Sequence, residues 1–114
     1  MTAGTYNMTI EQGATWNTTL TLYTDEARTT PDDVSGYTAK MHIRPTKDSP
    51  VLIKGISSGD GITITTNVIS LLISAEDTAS FNFSKAYYDL ELTNGTSTTR
   101  LIEGTVTLSA EVTR

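Results

Sequence analysis

Tyr88-Asp89-Leu90-Glu91-Leu92-Thr93, followed after a polar turn by Ile102-Glu103-Gly104-Thr105-Val106-Thr107-Leu108-Ser109, is the stretch that decides the fold. Apolar and polar residues alternate in both segments, the period-two signature of half-buried strands. Each strand has one apolar and one wet face, so the hairpin needs a second layer to cover it. Parity constrains its turn. A two-residue turn at Asn94-Gly95 would pair Tyr88 with Leu101 and send Glu103 into the core, at a cost on the order of several kcal/mol. An odd loop length keeps Leu90 on the face of Ile102, so a three- or five-residue loop beginning at Asn94 is expected, with positive φ at Gly95 or a neighbour. The five-residue form sets Gly104 opposite Tyr88, a ring over a bare backbone position.

Upstream segments supply the covering layer. Tyr6, Met8 and Ile10 form the apolar side of a first strand that stops at Gln12-Gly13. Trp16, Leu20 and Leu22 do the same for a second strand, with Thr18 in phase. The polar segment 25–35 reads as a surface loop with Val34 as its inward anchor. Tyr37, Ala39, Met41 and Ile43 point inward on the next strand, Thr38, Lys40, His42 and Arg44 point outward, and Pro45 ends it because proline cannot donate to a ladder. Val51 to Ile56 reads as a short edge strand. Ile62 and Ile64, then Ile69, Leu71 and Ile73, form a hairpin across Thr66-Asn67. Ser74-Ala75-Glu76-Asp77 has capping-box form and opens one or two helical turns over 75–81, crossing from one sheet to the other. The sum is one all-β domain over 1–114, an antiparallel β-sandwich of about eight strands with one short helical crossover.

A chain of 114 residues is sized for a single core. Its net charge of −5 argues against a nucleic-acid backbone or an anionic membrane as partner. There is no cysteine, hence no disulfide framework, thiolate metal site or cysteine nucleophile. The N-terminal residues lack the pattern of a secretory signal, and no apolar run is long enough to span a bilayer.

No catalytic constellation is legible. His42, the single histidine, lies between Lys40 and Arg44 on an outward face, without a nucleophile or metal partner at suitable spacing. An enzyme would require a pocket gathering His42 with at least two acids. Asp25, Glu26, Asp32 and Asp33 lack the alternating pattern of a calcium loop, so no metal and no cofactor is expected. Four N-x-S/T sequons, at Asn7, Asn17, Asn82 and Asn94, are expected by chance in so threonine-rich a chain. Trp16 and Tyr6 share the apolar phase of their strands and read as core. Tyr23 and Tyr87 fall on outward phases, suited to a subunit contact or a glycan platform. Tyr88, just after the helical turn, resembles the tyrosine-corner position of immunoglobulin-like folds, an architectural role.

The segments GTYNMTIEQGATW (4–16), VSGYTAKMHIR (34–44), SAEDTASF (74–81), YYDLEL (87–92) and RLIEGTVTLSAEVTR (100–114) resemble small structural proteins of tailed bacteriophages. They are similar to the N-terminal immunoglobulin-like domain of siphophage upper baseplate proteins. The resemblance implies a non-enzymatic virion protein made in the host cytoplasm, a baseplate, tail-tip or fibre-connector module of the tail. Its implied partners are other virion proteins and further copies of itself, with neither nucleic acid nor membrane. Capsid decoration is the alternative within that class, and a carbohydrate-binding module for host attachment the alternative outside it. The expected assembly surface is made by side chains without a core role: Tyr6, Tyr23, Lys40, His42, Arg44, Tyr87 and Arg114, together with the open edge at 51–56.

Overall fold

In the computed structural model, which describes residues 4–23, 27 and 29–112, the chain is almost wholly strand. The elements are β1 (Gly4–Thr5), β2 (Met8–Glu11), β3 (Trp16–Thr21), β4 (Thr38–Arg44), β5 (Lys54–Ser58), β6 (Gly61–Thr65), β7 (Val68–Ile73), α1 (Ala75–Ala79), β8 (Lys85–Thr93) and β9 (Thr98–Ser109). They form one curled sheet in the order β1-β9-β8-β4-β5-β6-β7-β3, with β2 continuing β1 along the edge of β9. The curl folds the β6-β7-β3 end over the larger β9-β8-β4-β5 part, which gives a sandwich-like all-β fold. Inward side chains fill the space between. Ile10, Met41, Ile43, Ile62, Ile69, Leu71, Ile73, Leu90 and Val106 are fully buried, and all occupy inward phases of the sequence pattern.

The final hairpin keeps the expected faces by a different route. Its loop is Asn94–Ser97, four residues and not an odd number, because Thr93 pairs with Thr98. The parity change comes from a bulge: Glu91 pairs with Arg100 while Leu90 pairs with Ile102, leaving Leu101 as an extra residue in β9. Below the bulge the register is the one expected from the five-residue loop, with Tyr88 opposite Gly104. The loop has its own local chemistry. Asn94 Oδ1 accepts from the backbone N–H of Thr96 and Ser97, and Gly95 takes φ 95°. Such side-chain bonding to backbone two and three residues on makes a tight turn self-sufficient. An even loop was therefore available, with the slip in phase absorbed inside the strand.

Three further expectations change in detail. The first strand is broken at Tyr6-Asn7, so Tyr6 is 47% exposed and not core. Both halves run parallel to β9 in one unbroken register, Gly4 with Ile102 and Met8 with Val106, so the sheet is not purely antiparallel. The β5 strand starts at Lys54 and lies inside the sheet order, bonded to β4 along Lys54–Ser57, while β6 opposes only Ser57 and Ser58. Among the described residues Lys54 to Ile56 therefore have a strand partner on one side only, an open stretch of a strand that is not terminal in the sheet order. The turn after it needs glycine, since a Cβ on Gly61 at φ 97° would sit 2.8 Å from the Ile56 side chain.

The helical turn forms where its cap predicts, with Ser74 Oγ accepting from Asp77 N–H at 3.2 Å, but it links β7 to β8 within one continuous sheet and does not cross between two sheets. Its buried member is Thr78. The Thr78 hydroxyl donates to Ala14 O at 2.8 Å and accepts from Gly13 N–H at 3.1 Å, fastening α1 to the β2–β3 turn. Lys54 Nζ lies 2.8 Å from Asp77 Oδ2 and ties β5 to the same helix. The lysine holds the Asp77 carboxyl below its ordinary range, first through that hydrogen bond and then through its charge.

The break in the N-terminal strand has its cause in β8 and β9. Tyr88, 4% exposed, donates its phenol proton to the carbonyl of Tyr6. Asn7 Oδ1 then accepts from Thr105 N–H at 3.1 Å in place of a backbone carbonyl. The Tyr6 backbone passes so close over Gly104 that a Cβ there would run into its carbonyl and sit 2.9 Å from Asn7 Oδ1. Two outcomes follow. Gly104→Ala should destabilise the fold by about 1–3 kcal/mol, the cost of overpacking, whereas Tyr88→Phe should cost about 1 kcal/mol for one lost hydrogen bond. Urea unfolding of the two variants beside the parent chain measures both.

Candidate functional site

The outward face of β4, β8 and β9 forms an open trough of about 290 Å³. Alternation places its side chains: residues outward on β4 stand beside residues outward on β8, because the two strands pair Lys40 with Glu91, His42 with Asp89 and Arg44 with Tyr87. The next step across brings Arg100 beside Glu91 and Glu103 beside Asp89. Directly behind, Met41, Ile43 and Leu90 are fully buried. The face is thus a rigid display backed by core.

Its electrostatics are mixed. Half of the eight basic side chains, Lys40, Arg44, Lys47 and Arg100, line the trough with Asp89, Glu91 and Glu103. Asp89 and Glu103 are like charges directly opposite, an unfavourable cross-strand pair. Arg100 offsets it, with Nε 3.4 Å from Asp89 Oδ2 and Nη1 3.4 Å from Glu103 Oε1. At the other end Arg44 reaches Ser49 O at 3.4 Å and places Nη2 3.3 Å from His42 Nδ1. A guanidinium only donates, so Nδ1 accepts and the imidazole proton of this contact belongs on Nε2. Lys85 Nζ stands 5.6 Å above the Tyr87 ring, within cation–π range.

Of the residues expected to form an assembly surface, Lys40, His42, Arg44 and Tyr87 are gathered here. Tyr6 sits apart, on the N-terminal edge. Tyr23 bridges to Pro31 beyond the end of β3 and is separated from β8 in the sheet order by β4, β5, β6 and β7. Tyr23 and Tyr87 therefore do not make one aromatic platform. Arg114, Asp25 and Glu26 lie outside the described residues. The acids of β8 and β9 were legible as outward residues of the hairpin. That β8 lies beside β4 was not, since strand order is a long-range property. Arg100 had no readable phase because the Leu101 bulge intervenes.

The trough does bring His42 together with Asp89, Glu91 and Glu103, the arrangement an enzyme reading requires. The hydrogen bonds distribute these groups otherwise: His42 faces Arg44, while Asp89 and Glu103 turn to Arg100. Among the described residues no group of three or more His, Asp or Glu side chains is placed to hold a metal ion. None of the described helices is long and apolar enough to cross a membrane. Compared with known proteins, the chain matches no family model and no curated sequence.

Tyr88 forms the floor between the trough and the core. Burial, and secondarily the neighbouring Tyr6, push its phenol above the ordinary range. In the unfolded chain that phenol ionises near about pH 10, while in the folded chain it stays protonated. Below that pH both states hold the proton and its contribution is intact. As pH rises through the unfolded value towards the raised folded one, the unfolded state alone loses the proton and stability falls. Tyr88→Phe should therefore flatten the alkaline loss of stability above about pH 10, read as the difference between parent and variant unfolding curves at pH 8 and in the alkaline range. Arg100→Ala should cost less than about 1 kcal/mol, as expected of half-exposed ion pairs, and its effect should shrink in high salt.

Proposed function

We propose that this chain is a non-enzymatic structural protein of a tailed-phage virion, working in the tail as a baseplate, tail-tip or fibre-connector module. The observation that carries the reading is the trough. Side chains with no core role are collected on one stiff face and supplied with charges of both signs. A partner bearing a complementary pattern is thereby selected and oriented, while a wrong one meets like charge. The sandwich-like fold agrees with the architecture that the sequence resemblance implies. Fold alone does not assign work; the resemblance supplies the virion context and the trough supplies a means of docking.

Chemistry at this face is ion pairing and hydrogen bonding without an activated nucleophile. Tyr87 adds a ring whose outer side is shared with Lys85, a contact type favoured where one end of a side chain is packed and the other meets a partner. Repetition of the module by the symmetry of a tail would turn one modest patch into a strong attachment through avidity.

Labelling intact virions with an antibody against the chain tests the reading. Signal at the tail is the expected result, signal on the head would make it a capsid decoration protein, and no virion signal overturns the proposal. Reversing charge with Lys40→Glu and Arg44→Glu together should lower incorporation into particles at least about tenfold, the weight of 1.4 kcal/mol, with the purified variant still folded. Binding to a glycan array that is lost on Tyr87→Ala would instead favour host-glycan attachment.

A further inference from the structure

The two ends of the curled sheet are finished differently. At one end the edge is broken at Tyr6-Asn7, carries Glu11 and is held by side-chain bonds from Tyr88 and Asn7. Interruptions and charges of this kind keep an edge from pairing with another chain. At the other end β3, Trp16–Thr21, has no proline, no charge and no bulge. It pairs with β7 in one continuous register from Trp16 with Ile73 to Thr21 with Val68, and among the described residues β7 is its only strand partner.

The direction of its free backbone groups can be read. Leu22 N–H donates to Asn67 O at 2.8 Å, and Leu22 O accepts from Asn67 Nδ2 at 3.1 Å. Leu22 O also accepts from Asp32 N–H at 3.0 Å, from the segment that bridges Pro31 to Tyr23, so the direction rests on the Leu22 N–H, which points to the β7 side. In an antiparallel pair such residues alternate with residues whose groups point away. Asn17, Thr19 and Thr21 therefore direct N–H and C=O to the open side. The outer face beside them is also free of charge: Asn17, Thr19 and Thr21 stand next to Leu72, Ser70 and Val68, and Leu72 is 49% exposed. On a chain of net charge −5, a contact between two copies at this place would set no like charges against each other.

We propose that β3 is a self-association edge, pairing antiparallel with β3 of a second copy across a twofold axis at Thr19. That register bonds Thr19 to its own counterpart and Asn17 to the Thr21 of the second copy, so every outward-directed backbone group of the strand is used. On the inner face it sets Trp16 against the Leu22 of the second copy. Both are only partly buried in the single chain, packed at the margin of the core, so the pairing closes an end that one copy leaves half open. The contact is isologous and closes on itself, as a twofold dimer requires. It lies away from the trough and stands independently of the virion reading, since a dimer leaves both troughs available.

The test is the mass of the purified full chain by light scattering, followed over concentration and salt. The expected result is a concentration-dependent species of twice the 12.3 kDa chain mass, undiminished by high salt because the contact holds no ion pair. Thr19→Pro removes only an outward-pointing N–H, a place where edge strands tolerate proline, and should give a monomer. Thr19→Lys keeps the N–H, sets two like charges across the axis, and should give a monomer as well. Amide hydrogen exchange should show Asn17, Thr19 and Thr21 protected in the parent dimer and fast-exchanging in the lysine variant. A parent chain monomeric at every concentration overturns the proposal. So does a dimer that survives in folded Thr19→Lys, or one that dissolves in salt, which would place the contact on the charged trough.

Discussion

One residue too many in β9 holds the inside of this protein in phase. The strand is long, and its lower half carries Val106, Gly104 and Ile102 against Ala86, Tyr88 and Leu90. The four-residue loop would by itself put the opposite parity there and turn Glu103 inward. Leu101, unpaired at the bulge, restores the correct phase. The cost of an unpaired carboxylate in a core is large against the marginal stability of a domain this size. A local disruption of the ladder is much smaller, so the bulge wins.

What lies below the bulge depends on it. Tyr88 meets Gly104 only in that register, and the missing side chain at Gly104 lets the Tyr6 backbone cross close enough to accept the Tyr88 phenol. The same crossing breaks the N-terminal strand and exposes the Tyr6 ring. A sequence pattern that marks Tyr6 as core is correct about its phase and wrong about its burial, because phase assumes an uninterrupted strand. On the outer face the bulge brings Arg100 alongside Asp89 and Glu103, where two acids opposite one another need a cation between them. The charge pattern of the trough and the apolar pattern of the core therefore share one geometric origin.

The two halves of the curled sheet also divide their surface chemistry. The β4–β8–β9 face is concave and carries charges of both signs. The β6–β7–β3 face is threonine-rich and uncharged, and ends in β3, which among the described residues has β7 as its one strand partner. Bundling the loop anchors between them, Val34 against the β6–β7 turn and Thr78 against the β2–β3 turn, stiffens the sandwich without drawing on either face.

Period-two alternation determined most of the strands and inward residues and the sandwich-like class, with Tyr6 and the start of β5 as the exceptions, since each strand must bury one face whatever its neighbours are. The Ser74 cap determined where the helical turn begins, since a hydroxyl three residues before an orphan N–H is a local arrangement. Tertiary structure alone decided the rest. That β8 lies between β4 and β9, that β5 is inside the sheet order, and that the N-terminal strand runs parallel along β9 are choices of pairing, and pairing energy depends on residues far apart in the chain. The final hairpin shows the boundary most clearly. Its sequence required Leu90 and Ile102 to share a face, but two physical routes satisfy that requirement, an odd loop or a bulge. The crossing at Gly104 needs the register that a five-residue loop and the bulge both give, and it is the self-bonded four-residue turn at Asn94 that goes with the bulge.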